Sequence, residues 1–532
     1  MGGPRDETPP QLLESNPKDQ SLSVKPEELV LSFDEYIKLE NPTKGIVITP
    51  RIETDKVEFT ALKNQVKVKL NQDLEENTTY VFDFQNSVVD ISEENPAENL
   101  KLVFSTGTTI DSLAVSGKVN FYYPKSNQTF KDVLIGLYPV GDTTDLFTGQ
   151  PYYLGRVDTV GNFKINNVKN GDYQIFAWND ANGNLKADYK SEEWDFLKDT
   201  LFIQQNQEGI QFNLAGADQT SIKVTRSSAF GKIYDIILNR NPIWQQISTD
   251  SSQLNFFYTS LDKRIRIYPD RIPKDSIPFN LLLQDSVGNK IDTLIWGKFE
   301  ESERKPEALS ISVNSGKSFY QDLEMKLTFN KPVKSINTDS LFVQYDSAGI
   351  IPIRPENLFF EDSAKRTQMI IKLVIPDSLP QTIFTLRASD STFIDVEALP
   401  NSEKIQANYK KLKRTELADE IKGSIELANA PFIIQLLDSK NEIARQIQLT
   451  DGNEFAFRLV EPGNYKIRVI EDLNGNGRWD PANFSEKRNA ERVFYYRGGE
   501  PQTDQITIRA GWTLEDQTIS SNPKTGIIPP KN

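Results

Sequence analysis

Apolar and polar residues alternate along most of this chain. Examples are Glu28-Leu29-Val30-Leu31-Ser32-Phe33, Val66-Lys67-Val68-Lys69-Leu70 and Met325-Lys326-Leu327-Thr328-Phe329. Tyr465-Lys466-Ile467-Arg468-Val469-Ile470 and Gln505-Ile506-Thr507-Ile508-Arg509 continue the pattern late in the sequence. A period of two, bounded by Asn, Asp, Gly and Pro, marks strands with one face buried and one wet. Runs at the helical period are short: 96–100 and 355–358 offer a turn each. Strands that do not alternate with helices exclude a parallel α/β sheet. The pattern predicts an all-β chain of serial β-sandwich modules.

The strands are organised by an internal repeat. Residues 161–188 (GNFKINNVKNGDYQIFAWNDANGNLKAD) align without a gap to 453–480 (NEFAFRLVEPGNYKIRVIEDLNGNGRWD). Phe163 matches Phe455, Gly171 and Tyr173 match Gly463 and Tyr465, and Asp180 matches Asp472. A weaker echo pairs Leu31-Ser32-Phe33-Asp34-Glu35 with Leu327-Thr328-Phe329-Asn330-Lys331. Two copies of a two-module pair, with further strands between them, predict the following order. A flexible tether spans 1–10, one sandwich 11–108 and a second kind 109–215; an intervening sandwich spans 216–304. The two kinds then repeat at 305–412 and 413–516, before a disordered tail at 517–532. Repeats of this size usually make an extended string of modules.

The first module is carried by Thr8-Pro9-Pro10-Gln11-Leu12, Ser15-Asn16-Pro17, Leu31-Ser32-Phe33-Asp34-Glu35, Asn77-Thr78-Thr79-Tyr80 and Phe104-Ser105-Thr106-Gly107. Together these resemble the bacterial Ig-like domain of S-layer proteins, the SbsA type. The second kind of module, with Ser116-Gly117-Lys118-Val119 and Gly171-Asp172-Tyr173, resembles prealbumin-like or Cna-B-like sandwiches. The order of modules, with Arg509-Ala510-Gly511-Trp512 near the end, is similar to a family of Ig-like-domain lipoproteins of Bacteroidota outer membranes. Members of that family begin with a signal peptide and a lipidated Cys. The resemblance therefore implies a lipid anchor upstream of Gly2, although neither feature stands in this sequence.

Composition narrows the chemistry. The 532 residues contain no His and no Cys. That excludes disulfides, thiol nucleophiles, Cys- or His-ligated metals and imidazole acid–base catalysis. Carboxylate chemistry, oxygen-ligated metals and plain binding remain. A formal net charge of −14 with scattered basic residues argues against a nucleic-acid partner. The densest basic run, Lys410-Lys411-Leu412-Lys413-Arg414, falls where a solvated joint between modules is expected. No stretch approaches the ~20 apolar residues of a membrane helix. The N-terminal run to Pro10 lacks an apolar leader core, which fits a cytosolic start or a mature exported protein.

The most site-like motif is duplicated. Asp180, Asn182, Asn184 and Asp188 stand at positions one, three, five and nine of one loop, with the Lys186 carbonyl at seven. Asp472, Asn474, Asn476 and Asp480, with the Arg478 carbonyl, repeat that spacing. Oxygens so placed can converge on Ca2+. Ser191 and Asn483 stand where a bidentate Glu is wanted, while Glu192, Glu193 and Glu486 lie slightly beyond. Asp and Asn side chains bonding their own backbone in an ion-free turn fit the same spacing. Carboxylates for glycoside hydrolysis are present, as in Glu192, Glu193 and Asp195 around Trp194 and in Asp34-Glu35, but no pair is singled out. Phosphate-binding loops are absent.

Tyr122-Tyr123, Tyr152-Tyr153 and Tyr495-Tyr496 put one ring on each face of a strand, so that an exposed ring of each pair could stack on a sugar or dock a partner, while a half-buried strand carrying one core ring is the favoured reading of the same pattern. Asp-Ser/Thr-apolar triplets recur at Asp111, Asp158, Asp199, Asp275, Asp292, Asp339 and Asp377. They resemble O-glycosylation acceptors of exported Bacteroidota proteins and equally fit turn residues capping strands. The expectation is a non-enzymatic, outer-membrane-anchored scaffold or accessory subunit whose partners are an outer-membrane β-barrel or other membrane-complex proteins. The alternative is a carbohydrate-binding surface protein supporting glycan uptake. A carboxylate-dependent hydrolase is the weaker third.

Overall fold

Alternation becomes burial wherever two strands share a register. In strand Glu28–Phe33 the side chains of Leu29, Leu31 and Phe33 are fully buried. Its antiparallel partner Gln65–Leu70 sets Val68 opposite Leu29 and Val66 opposite Leu31, so both apolar rows face one core. The computed structural model describes residues 7–125, 127–250, 254–303, 305–426, 428–498 and 503–521. Most of the expected tether (1–6) and of the expected tail (522–532) lies outside them. The architecture is all-β, built of strands in many sheets with a single four-residue α-helix, Pro42–Gly45, among the described residues. No helix among those residues is long and apolar enough to cross a membrane. The described residues form two compact units: 7–219 with 479–493, and 220–478 with 494–521.

Unit 1 opens with an Ig-like sandwich. One sheet runs Leu12–Asn16, Glu28–Phe33, Gln65–Leu70, Val57–Leu62, and another runs Val47–Thr49, Thr79–Asp83, Lys101–Ser105. Phe33, Tyr80, Phe82 and Phe104 fill the space between them. Large side chains of this kind contribute about 1.5–3 kcal/mol each on burial.

The second sandwich of unit 1 contains a parallel pair, Leu113–Phe121 beside Gln207–Gly216. A Cβ on Gly117 would sit 1.9 Å from the Ile210 carbonyl oxygen, so only glycine permits this approach. Strand Val133–Pro139 is buried on both faces. Val133, Ile135 and Leu137 enter the inner core, while Leu134 and Tyr138 join Phe176, Trp178, Trp194 and Phe196 in a second cluster on the back of the sheet. That face is apolar and demands a cover; Leu146, Phe147, Ala482, Phe484 and Ala490 supply it.

Unit 2 holds three sandwiches. The first pairs a sheet of Val224–Phe230, Ile233–Leu238, Arg264–Pro269 and Phe256–Leu261 with one of Trp244–Ser248, Ile277–Gln284 and Lys290–Gly297 around Phe279, Leu281 and Leu283. The second, centred on Asp322–Phe329 against Gln368–Val374, encloses Met325, Leu327, Phe384 and Phe393. The third repeats the parallel pair of unit 1: Ala418–Glu426 runs beside Thr513–Ser520, and a Cβ on Gly423 would meet the Gln517 carbonyl oxygen at 2.0 Å.

Two boundaries differ from expectation. Residues 517–520 belong to the strand Thr513–Ser520 rather than to a tail, because Ile519 is fully buried in the core. The basic run at 410–414 is not a solvated joint throughout. Lys410 and Lys411 end strand Ile405–Lys411, Leu412 is buried, and the buried Lys411 ammonium donates to the carbonyls of Pro376 at 2.7 Å and Leu379 at 2.9 Å.

Candidate functional site

Both Asp/Asn loops follow the strand that ends in the repeat motif, Gly171–Asn179 in unit 1 and Gly463–Glu471 in unit 2. In the first loop Asp180 accepts the Asn184 N–H at 3.1 Å on one oxygen and the Leu185 N–H at 3.1 Å on the other. Asn182 and Asn184 accept the N–H groups two residues ahead, at 3.0 Å each. The second loop is built alike: Asp472 accepts from Asn476 at 2.9 Å and Gly477 at 2.8 Å, Asn474 from Asn476 at 3.1 Å, and Asn476 from Arg478 at 3.0 Å. Gly183 and Gly475, at φ of 70° and 68°, provide the left-handed turn each loop needs. These are nested Asx turns in which side-chain oxygens take backbone donors. Among the described residues no group of three or more acidic side chains is placed to hold a metal ion.

A glutamate closes each loop. Glu192 accepts the Asn182 N–H at 3.2 Å and the Asp188 N–H at 2.8 Å, and Glu491 accepts the Asp480 N–H at 2.8 Å. Glu192 follows Asp188 by four residues and Glu491 follows Asp480 by eleven, so the second loop carries an insertion. The insertion hides the equivalence in an ungapped alignment. Burial pushes the carboxyls of Asp180 and Glu192 up, the charge of Asp180 adding to the effect on Glu192. Asp188 is held below the ordinary range by the Lys190 N–H and by the Ser191 hydroxyl and N–H.

The inserted residues lie in segment 479–493, which belongs to unit 1. There Phe484 stands edge-on to Phe147 at 4.8 Å between ring centres and to Trp194 at 5.9 Å, and lies against Phe176 and Phe196 at 6.0 Å each. Gln219 clasps the segment from both sides, donating to the Ala482 carbonyl at 3.0 Å and accepting the Phe484 N–H at 3.0 Å. The Asn489 amide donates to the Asp195 carboxylate at 3.2 Å and the Phe196 carbonyl at 2.7 Å. Trp479 packs edge-on to Tyr123 at 4.9 Å. The sequence marked Asp195 only as one carboxylate among many, and gave no sign of Phe484 or Asn489 as docking residues.

Within unit 1 the two sandwiches are joined by polar contacts. Arg51 donates to Thr144 at 3.0 Å and to Asp142 at 3.1 Å. Asp142 is held below its ordinary pKa: burial pushes it up, but the Thr144 N–H and hydroxyl and the Arg51 guanidinium outweigh that. Arg156 donates to the Lys44 carbonyl at 2.7 Å, Lys169 to the Asn77 carbonyl at 3.0 Å, and Tyr152 to Glu75. The tyrosine pairs thus offer no fully exposed ring for stacking and follow the half-buried-strand reading instead. Tyr122 and Tyr153 are buried, and Tyr123, Tyr152, Tyr495 and Tyr496 are half-buried. Exposed aromatics stand instead on the outer face of the three-stranded sheet of unit 2, where Trp244 is 46% and Trp296 60% exposed, with Leu294 at 51%.

Residues 6–106 match the bacterial Ig-like domain, which identifies the first module and covers less than a fifth of the chain. No curated protein matches. Solved structures with some likeness include the TIE protein of Bacillus anthracis (8% identity, 98% of this chain, 76% of that chain, TM-score 0.13). Another is dimeric latent PorU from Porphyromonas gingivalis (8%, 74% and 46%, TM-score 0.22). A third is the human desmocollin-1 ectodomain (9%, 92% and 96%, TM-score 0.15). Likenesses at these scores carry no argument about function.

Proposed function

We propose that this chain is a non-enzymatic, lipid-anchored modular protein of a bacterial outer membrane, serving as scaffold or accessory subunit of a membrane protein complex. The observation that supports this reading most is the construction of unit 1. Its two sandwiches are cross-linked by the Arg51, Arg156 and Lys169 contacts, and its back sheet is covered by segment 479–493 from far along the chain. A scaffold gains from holding its surfaces in fixed geometry, whereas an enzyme needs converging reactive groups. The partners would be an outer-membrane β-barrel or other proteins of a membrane complex. Expression in a Bacteroidota host from the native gene, followed by membrane fractionation and affinity purification in high salt, tests the reading. A lipidated protein that co-purifies with an integral membrane protein supports it; a soluble, unlipidated monomer overturns it.

A second reading, carbohydrate binding at the surface, is favoured by the outer face that carries Trp244, Leu294 and Trp296 beside the polar Gln246, Asn280 and Asp292. Exposed rings flanked by amides and carboxylates suit stacking on sugar faces. Glycan-array binding that disappears in Trp244→Ala and Trp296→Ala would support it, and binding indifferent to both changes would sink it.

A further inference from the structure

In the second Ig-like module, within unit 2, a lysine and an aspartate meet out of reach of water. Lys331 follows strand Asp322–Phe329 and stands two residues before Val333, which the pairing of Val333–Ile336 with Phe393–Asp395 sets opposite Asp395. The side chains of Lys331 and Asp395 are both almost wholly buried. The two oxygens of Asp395 are used differently. Oδ1 accepts the Glu397 N–H at 2.8 Å and the Leu399 N–H at 2.9 Å. Oδ2 takes no hydrogen bond from the described residues, and meets the Lys331 nitrogen in an ion-pair contact that lacks hydrogen-bond alignment. Lys331 Nζ donates to the half-buried Glu397 carboxylate at 3.0 Å and to the Glu307 carbonyl. The first Ig-like module is an internal contrast. Its buried Asp90 lies opposite Ile37 in the same way, but Glu35 stands in the place of Lys331. Both Asp90 oxygens there accept backbone N–H groups, from Glu93 at 2.6 Å and Glu94 at 3.2 Å on one and from Asn95 at 2.8 Å on the other.

We infer that Lys331 and Asp395 join in an intramolecular isopeptide bond, formed by the folded module itself. Nζ attacks the Asp395 carboxyl carbon. The negative charge of the tetrahedral intermediate gathers on Oδ1, where two backbone N–H groups already converge as an oxyanion hole does. Glu397 carries two protons in turn from Nζ to Oδ2, the C–Oδ2 bond breaks, and water leaves. The third proton stays on the amide nitrogen, directed at the Glu307 carbonyl. An ammonium and a carboxylate thus become an amide and water, with nothing oxidised or reduced and no co-reactant consumed. Two physical terms drive the step. The fold holds nucleophile and acyl group in contact, which replaces an encounter by a first-order reaction. Two buried charges, each costly to remove from water, become one neutral amide. The bond ties the entry of strand Val333–Ile336 to the end of strand Phe393–Asp395. It stands apart from the scaffold reading, since it depends on neither anchor nor partner.

The test is the mass of the intact full chain, denatured after prolonged incubation in its folded state. The expected mass falls below that of the sequence by one water molecule, and a proteolytic digest should contain one branched peptide joining Lys331 to Asp395. Glu397→Gln keeps an acceptor for the Lys331 nitrogen but cannot relay its protons. That variant should fold, by circular dichroism, and show the full mass of its own sequence with no branched peptide. The full sequence mass in the wild type would overturn the proposal and leave Lys331 and Asp395 as a buried ion pair, whether or not the variant folds. A water loss that maps elsewhere, such as cyclisation of Asp451 onto Gly452, would overturn it as well. A branched peptide that forms as fully in Glu397→Gln would overturn the mechanism, which rests on Glu397 as the proton relay.

Discussion

Asp195 is where segment 479–493 meets a titratable group. One of its oxygens takes the Phe196 N–H at 2.8 Å and the Asn489 amide at 3.2 Å, and the other takes the Asn213 N–H at 2.7 Å. These donors favour the charged form, yet burial outweighs them and pushes the carboxyl from 3.8 to about 6. The folded value lies above the unfolded one. The stability this group contributes is therefore full below about 3.8 and is lost as pH rises through about 6. Asp180 and Glu192 are raised too and act in the same direction, so the wild type alone cannot isolate Asp195. Asp188 and Asp142 are lowered, and their contribution is lost only at more acid pH. Asp195→Asn removes one titration and leaves the rest. The melting temperature of the variant, minus that of the wild type, should be largest at pH 7.5 and shrink steadily towards pH 5. A difference that stays constant over that window would mean Asp195 does not titrate there. A residue of this kind is invisible in sequence, since the burial that raises it is set by the fold and one of its opposing donors, Asn489, stands almost three hundred positions away. Lys331 makes the same point. It replaces Glu35 of the first Ig-like copy in the alignment, and only the fold shows it fully buried against Asp395 and Glu397.

At the scale of elements, the strands and the two loops were legible because both are written in local order. Period two places Leu29, Leu31 and Phe33 inside whatever their distant partners are. The Asp-x-Asn-x-Asn spacing likewise dictates a loop whose oxygens lie on one side. What local order does not specify is which donor those oxygens take. In both loops the fold gives them backbone N–H groups, and a Ca2+ ion would have to share oxygens already so engaged. Asp180→Ala leaves the Asn184 and Leu185 N–H groups without this acceptor, at a cost of about 1–2 kcal/mol. The destabilisation should be equal in excess calcium and in chelator. A calcium-holding loop behaves differently, because an ion at a hundred times its Kd adds about 2.7 kcal/mol that the variant would forfeit. Thermal denaturation of both proteins in both buffers tells the two apart: a calcium-dependent gain in the wild type, absent in Asp180→Ala, would restore the metal reading. The closing glutamate of the second loop escaped the sequence because seven additional residues separate it from Asp480, and the ring that those residues carry, Phe484, has no periodic neighbour to mark it as buried.

The whole molecule consists of two compact units, and one of them is discontinuous in sequence. Unit 1 takes residues 479–493 from the middle of a repeat whose remainder lies in unit 2, which no argument from serial modules anticipates. The physical reason is the doubly apolar sheet of unit 1: Leu134, Tyr138, Phe176, Trp178 and Trp194 make a second cluster that solvent would otherwise meet. Residues 479–493 bring Ala482, Phe484 and Ala490 to that cluster, and add the bonds to Gln219 and Asn489's bonds to Asp195 and Phe196. Chains of several cores unfold in more than one step, so each unit should melt separately in a calorimeter. Replacing 479–493 with a Gly/Ser segment of equal length removes Phe484 and the hydrogen bonds together. Truncation of a packed aromatic ring costs about 3–5 kcal/mol when it is wholly buried. Phe484 is half-buried, so the ring and the lost hydrogen bonds together should reach about that range. The expected thermogram retains two transitions, with that of unit 1 moved to lower temperature and that of unit 2 shifted far less. Hydrogen exchange assigns the transitions, since strand Val133–Pro139 should lose protection with the one that moves. A replacement that leaves both transitions in place would show that the back sheet of unit 1 is stable uncovered, and would remove the observation on which the scaffold reading rests.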